Sequence, residues 1–127
     1  MRPIKIILHK GSAQLELSYS NDQNYILSAE FLRVSSPSAE VRGHGPGQEI
    51  LQTGKRFVTI ENVESIGNYA IKLVFSDKHN TGIYSWIYLL ELAKNQEQLW
   101  RKYLEKLTQA KGSREPLPPD TQVITIT

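Results

Sequence analysis

The side chains with the most chemical potential gather between Ser35 and Gln48, where the chain reads SSPSAEVRGHGPGQ. Arg42, His44 and Gln48 stand there among Gly43, Gly45 and Gly47. Glycines let backbone approach a ligand closely, and a guanidinium, an imidazole and an amide around them suit an anion or a partner's carboxylate. The stretch is too long for a simple turn and too rich in Gly, Pro and Ser for a regular element, so it reads as a working loop. It is not a nucleotide fingerprint. No Gly-Lys-Ser/Thr closes it, no strand runs directly into it, and Pro46 removes an amide that a phosphate cradle would use.

Metal and nucleophile chemistry find less. The chain has no cysteine, which removes disulfides, thiolate metal sites and a Cys nucleophile. His9, His44 and His79 match no facial-triad or zincin spacing. His9 ends an apolar run and reads as structural. His44 and His79 both fall in polar turns that folding could bring together on a metal. Serines 35, 36, 38, 76 and 85 include no G-x-S-x-G elbow, and Asp77 beside His79 reads as turn chemistry. No catalytic residue is assigned, and the chain is read as a non-enzyme.

The elements that position these residues follow from pattern. With 127 residues the chain is expected to form one domain, 1–111, and a flexible tail, 112–127. Residues 3–9, 15–19 and 25–27 read as strands separated by turns, and Ser28 caps a short helix over 29–33. Strands are expected again over 57–62, with Val58 and Ile60 buried, and over 69–75, with Ile71, Leu73 and Phe75 inward. Ser85 caps a helix that restarts at Asn95 through a capping box with Gln98. Leu99, Trp100, Tyr103, Leu104 and Leu107 make its core stripe. The fold class is α+β, a small antiparallel β-sheet meander with a short helix and C-terminal helices packed on it. Val123 to Thr127, uncharged and β-prone, offers an alternative to a mobile tail, a strand added to a sheet edge.

Charge narrows the partners. Residues 1–93 carry nine basic and nine acidic side chains, whereas 94–115 carry six basic and three acidic. That local excess reads as a solvated helix face, not the dense stripe nucleic acid needs. The opening MRPIKIILHK is too short in apolar residues for a signal core or a membrane span, so a cytoplasmic location is expected, with no membrane contact.

Three segments carry a resemblance: FLRVSSPSAEVRGHGPGQ (31–48), GNYA (67–70) and FSDKHNTGIYSWIYL (75–89). Together, from about Pro3 to Leu107, the chain resembles the gamma-butyrobetaine-hydroxylase-like N-terminal domain family, a domain of unknown function. The resemblance implies a small α+β module, stand-alone in bacteria or fused to 2-oxoglutarate- and iron-dependent dioxygenases or to iron–sulfur cluster carriers. In the hydroxylases the module holds a structural zinc. Its ligand positions fall here on Ser36, Ser38, Val41 and His79, with Lys78 replacing the glycine before the histidine. Ser and Val do not replace thiolates, so the resemblance implies neither metal nor cofactor here. It also implies that the former zinc positions still meet, with Ser36 or Ser38 bonded to His79 and Val41 packed beside them. The dioxygenase activity belongs to a separate catalytic domain and does not carry over.

Three functions follow from these readings. The first is a non-catalytic accessory or protein-interaction module with a protein partner, linked by association to iron–sulfur or cofactor metabolism. The second is a small-anion or small-ligand module using Arg42, His44 and Gln48. The third is a metal-binding accessory protein using His44 and His79. A concave pocket at the loop favours the ligand module. A flat aromatic patch of Tyr69, Tyr84 and Trp86 favours the adaptor.

Overall fold

The computed structural model describes residues 1–118 and 124. Alternation sets the first sheet. Strands β1 (Lys5–His9), β2 (Gln14–Ser18) and β3 (Asn24–Ser28) pair antiparallel in that order. The register sets Ile6 opposite Leu17, Leu8 opposite Leu15, Leu17 opposite Tyr25 and Leu15 opposite Leu27. With a period of two, all six lie on one face. Leu15, Leu17 and Leu27 on that face are fully buried. Helix α1 (Ala29–Val34) follows at once, because the Ser28 hydroxyl accepts the Phe31 N–H at 3.0 Å and caps it.

The expected irregular loop contains one turn of helix, α2 (Ala39–Arg42). Ser38 caps it by accepting the Glu40 N–H, and Gly43 stops it with a φ of 73°. Ala, Glu and Arg between those two punctuators are good helix formers, which outweighs the Gly and Pro content around them.

The second sheet is also antiparallel, ordered β4 (Ile60–Ile66), β5 (Ala70–Phe75) and β6 (Gly82–Ser85). The expected strand over 57–62 therefore begins later and runs further. Val58 and Ile60 are buried as expected, and so are Ile71, Leu73 and Phe75. Strand β6 lies in a segment read from sequence only as turn and cap; four residues are too few to show a period. The meander thus divides into two three-stranded sheets, whose inner faces share one core with α1 and the last helix.

That helix, α3 (Trp86–Gln109), is capped by Ser85, which accepts the Tyr88 N–H at 3.1 Å. The expected restart at Asn95 is a kink, with φ −115° and ψ 16°. The capping box is not its basis: the Asn95 side-chain amide donates back to the Glu91 carbonyl. Tyr103 and Leu107 of the stripe are buried, with Leu99, Trp100 and Leu104 partly so.

The tail expected to swing free from Gly112 is tied down over its first residues. The N–H groups of Gly54 and Arg56 donate to the carbonyls of Ser113 and Arg114. The Arg114 guanidinium grips Glu30 through two bonds of 2.8 and 2.7 Å, 5.1 Å from the Trp100 ring centre. Glu30 is buried, and a buried carboxylate needs a cation. The β-prone run 123–127 lies outside the described residues except for Ile124, which is exposed. Among the described residues no helix is long and apolar enough to cross a membrane.

Candidate functional site

The turn after β5 and the segment joining α1 to α2 meet at His79. Its ring is buried, with Nε2 2.8 Å from the Ser36 hydroxyl and Nδ1 3.1 Å from a Glu40 carboxylate oxygen. A carboxylate only accepts, so Nδ1 carries the proton and Nε2 accepts the Ser36 O–H. Ser36 in turn accepts the Ser38 N–H, and the Ser38 hydroxyl bonds Thr81 at 2.7 Å. Burial, and next the Arg33 guanidinium, lower the His79 pKa, while Glu40 and Asp77 pull it the other way.

Ser36, Ser38 and His79 thus lie in one hydrogen-bonded cluster, with Val41 buried one turn of α2 further on. The donor set does not fit zinc. Ser36 and Ser38 are hydroxyls, Val41 has no donor, and both His79 nitrogens are engaged. Among the described residues no group of three or more His, Cys, Asp or Glu side chains could hold a metal.

Hydroxyl, imidazole and carboxylate in this order also resemble a hydrolase triad. The hydroxyl is covered, however. Ser36 is 1% exposed, and a Cβ on Gly82 of β6 would lie 2.6 Å from its Oγ. A scissile carbonyl has no approach to it. Asp77, the acid adjacent in sequence, is used elsewhere, accepting from Arg33 at 2.9 Å and Lys55 at 2.7 Å. Burial alone would raise the Asp77 pKa, but Lys55 and Arg33 outweigh it and hold the carboxyl below its usual range.

Above this cluster the loop is braced. Tyr84 donates to the Leu32 carbonyl and Tyr88 to the Ser35 carbonyl, each at 2.5 Å, and Tyr103 donates to the Gln52 carbonyl at 2.7 Å. Burial pushes the Tyr103 hydroxyl pKa up to about 12. The loop then folds on itself: Ile50 N–H donates to the Val41 carbonyl, and Gln48 N–H to Gly45. Gly43 is obligatory for this path, since a Cβ there would sit 2.0 Å from the Gln48 carbonyl oxygen.

Between the braced loop and the second half of α3 lies an open groove of about 1000 Å³. Val41, Ile50, Leu99 and Tyr103 give it apolar walls, and Arg42, Lys102 and Lys106 bring three cations. Glu49 is the one carboxylate among the lining residues. Bonds from the amides of its own residue and Gly47, and the Lys106 charge, lower its pKa. Arg42 stacks 5.0 Å from the Tyr88 ring centre. Lys102, Lys106 and Arg42 form no ion pair among the described residues.

Of the residues singled out from sequence, Arg42 and His44 line this groove, while Gln48 does not. The Gln48 backbone closes the loop instead. His79 lies in the cluster beneath, and His44 is exposed in the loop, so a shared metal finds no support in their placement. Lys102, Lys106 and Tyr88 were not foreseen; the signal for the two lysines was the basic excess after residue 93, read as a solvated face. The aromatic patch is not formed as expected. Tyr84 is fully buried, and the Trp86 indole N–H donates to the Asn68 carbonyl, leaving Tyr69 exposed.

The sequence profile of the gamma-butyrobetaine hydroxylase-like, N-terminal family matches residues 6–90. An NMR solution structure of a protein 48% identical superposes with a TM-score of 0.80, covering 98% of both chains. A second, 50% identical, superposes with a TM-score of 0.77 and covers 99% of this chain and 93% of that one. A crystal structure of a protein with unknown function from Acidithiobacillus ferrooxidans, of the DUF971 family, is 36% identical with a TM-score of 0.61. It covers 72% of this chain and 92% of that one. No curated protein matches the chain.

Proposed function

We propose that this chain, which belongs to the gamma-butyrobetaine hydroxylase-like N-terminal family, is a non-catalytic binding module whose groove takes an anionic ligand with an apolar body. One observation carries the reading: three cations that form no ion pair among the described residues surround apolar walls at the loop that Gly43 lets fold back on Gln48. Lys102 and Lys106 stand four residues apart on α3, so they share a face. The Arg42 fork suits a carboxylate or phosphate held by two oxygens. The absence of cysteine fits work in the cytoplasm, and the cations are too few and too local for nucleic acid.

A second reading, an accessory module that binds a protein, is favoured by the groove's open side, where Ile50 is 55% exposed. The occupant would then be an acidic, apolar segment of a partner. Decanoate, with decanol as its neutral counterpart, tests the first reading. Titration followed by amide shifts is expected to move residues 41–52 and 99–110 with decanoate and not with decanol. Replacing Arg42 and Lys106 together by Ala is expected to weaken binding about tenfold or more while changing stability by no more than about 0.5 kcal/mol. Equal binding of decanol, or no binding of either, would overturn it.

A further inference from the structure

A second site lies at the outer strands of the two sheets, away from their central strands β2 and β5. β1 and β4 are outer strands, each paired on one side only among the described residues. A strand paired on one side leaves a row of peptide N–H and C=O groups open on the other. Here both edges border one crevice of about 510 Å³. Ile6 and Leu8 come from β1, Asn62, Val63 and Ser65 from β4, and Trp86 from the start of α3. The crevice shares no lining residue with the cationic groove.

Proteins commonly shield such edges with inward charges, prolines or bulges along the strand. In β4 the irregularity falls between Ile60 and Asn62, at the strand's beginning, and regular pairing runs from Asn62 to Ile66. Within β1 there is no proline; Pro3 precedes it. The edges are therefore left competent to pair. The charge at the crevice is also one-sided. Arg2 and Lys5 line it, no carboxylate does, and neither cation forms an ion pair among the described residues. Arg2 rests 5.9 Å from the Trp86 ring centre, which places its charge at the crevice rim.

We propose that this crevice binds an extended acidic peptide segment of a partner protein as an added strand between β1 and β4. Main-chain bonds to the two edges supply the affinity. Alternate side chains of the added strand face Ile6, Leu8 and Val63 and are apolar. Carboxylates at the end that meets Arg2 and Lys5 fix its direction. The added strand would join two three-stranded sheets into one and remove both open edges.

The test uses the full chain and a synthetic peptide of about six residues alternating valine and glutamate, the usual length of a strand. Amide shifts are expected at 5–9 and 60–66, with intermolecular contacts from the peptide to both strands. Methylating alternate peptide nitrogens of the probe keeps every side chain but removes main-chain donors, and is expected to weaken binding about tenfold or more. Arg2→Glu with Lys5→Glu, both at exposed positions, is expected to weaken it similarly and to leave the melting temperature unchanged. Undiminished binding of the methylated probe would overturn the proposal, as would shifts confined to 41–52 and 99–110. Edge-to-edge dimerisation of the free chain that blocks the probe would also overturn it, by giving the edges a different occupant.

Discussion

A neutral imidazole with both nitrogens in use sits beneath the groove, and its protonation state is tied to folding. Protonating Nε2 would destroy the acceptor for Ser36 and place a cation near Arg33. The folded state therefore holds the His79 pKa below the ordinary value of about 6.5, so the unfolded chain takes up a proton first as pH falls. Stability from this group is fully present above about 6.5 and is lost as pH drops toward the folded pKa. Melting temperatures are expected to fall between about pH 7 and 5 in the native chain. In His79→Gln the chain should start less stable and show a shallower fall across that window. An equally steep fall in the variant would place the titrating group elsewhere. Because hydroxyl and imidazole do the bracing, a chelator should leave the melting temperature unchanged and elemental analysis should find no stoichiometric zinc. At this scale the Ser36–His79 pairing was legible only through the family resemblance, whose zinc positions fall on Ser36, Ser38 and His79. Glu40 was not, since a glutamate on a one-turn helix looks like any solvated charge.

Among the elements, β6 decides how tightly that bracing closes, and it does so through the absence of a side chain. Gly82 faces inward opposite Leu73, and the Ser36 hydroxyl lies over it. An added methyl would meet Ser36 Oγ at 2.6 Å and Tyr84 Cε1 at 3.1 Å. Gly82→Ala is expected to cost about 2 kcal/mol in urea unfolding, the scale of overpacking a filled core. The cause can be isolated. In a Ser36→Ala background the closest clash is gone, so the same substitution should cost clearly less, and a double-mutant cycle reads the difference as coupling. Full additivity would mean that the strain lies in β6 itself. Sequence pattern reached the longer elements here because Leu15, Leu17, Ile71 and Leu73 alternate over enough residues to show a period. It missed α2 and β6 because four residues carry no period, and only caps and contacts define them. Likewise Asn95 marked a break in α3, but the box chemistry assigned to it was wrong.

At the level of the whole molecule, the segment after α3 works as a strap. Gly112 donates back to the Leu107 carbonyl and turns the chain, and Ser113 and Arg114 then pair with Gly54 and Arg56. Arg114 thereby crosses from the end of α3 to Glu30 on α1, while Glu115 pairs with Arg56. The composition of 112–119, rich in Gly and Pro, hid this, because such residues exclude helix and sheet without excluding a docked strap. The groove gains from it, since the loop carrying Gly54 is the continuation of the one that forms the groove wall. Ending the chain at 111 leaves Glu30 buried with no cation. Relative to a chain ending at 118, it is expected to lose about 2 to 3 kcal/mol, the range for hydrogen bonds to a buried charge. Two mechanisms could produce that loss, and they separate. If the orphaned carboxylate is the cause, Glu30→Gln should restore part of the stability in the short chain while destabilising the longer one. If the lost main-chain pairing at Gly54 and Arg56 is the cause, Glu30→Gln should restore nothing, and the amides of 50–56 should lose their protection from exchange first. The bidentate geometry and the burial of Glu30 favour the first outcome, since two charge-assisted bonds to a carboxylate outweigh two exposed main-chain ones.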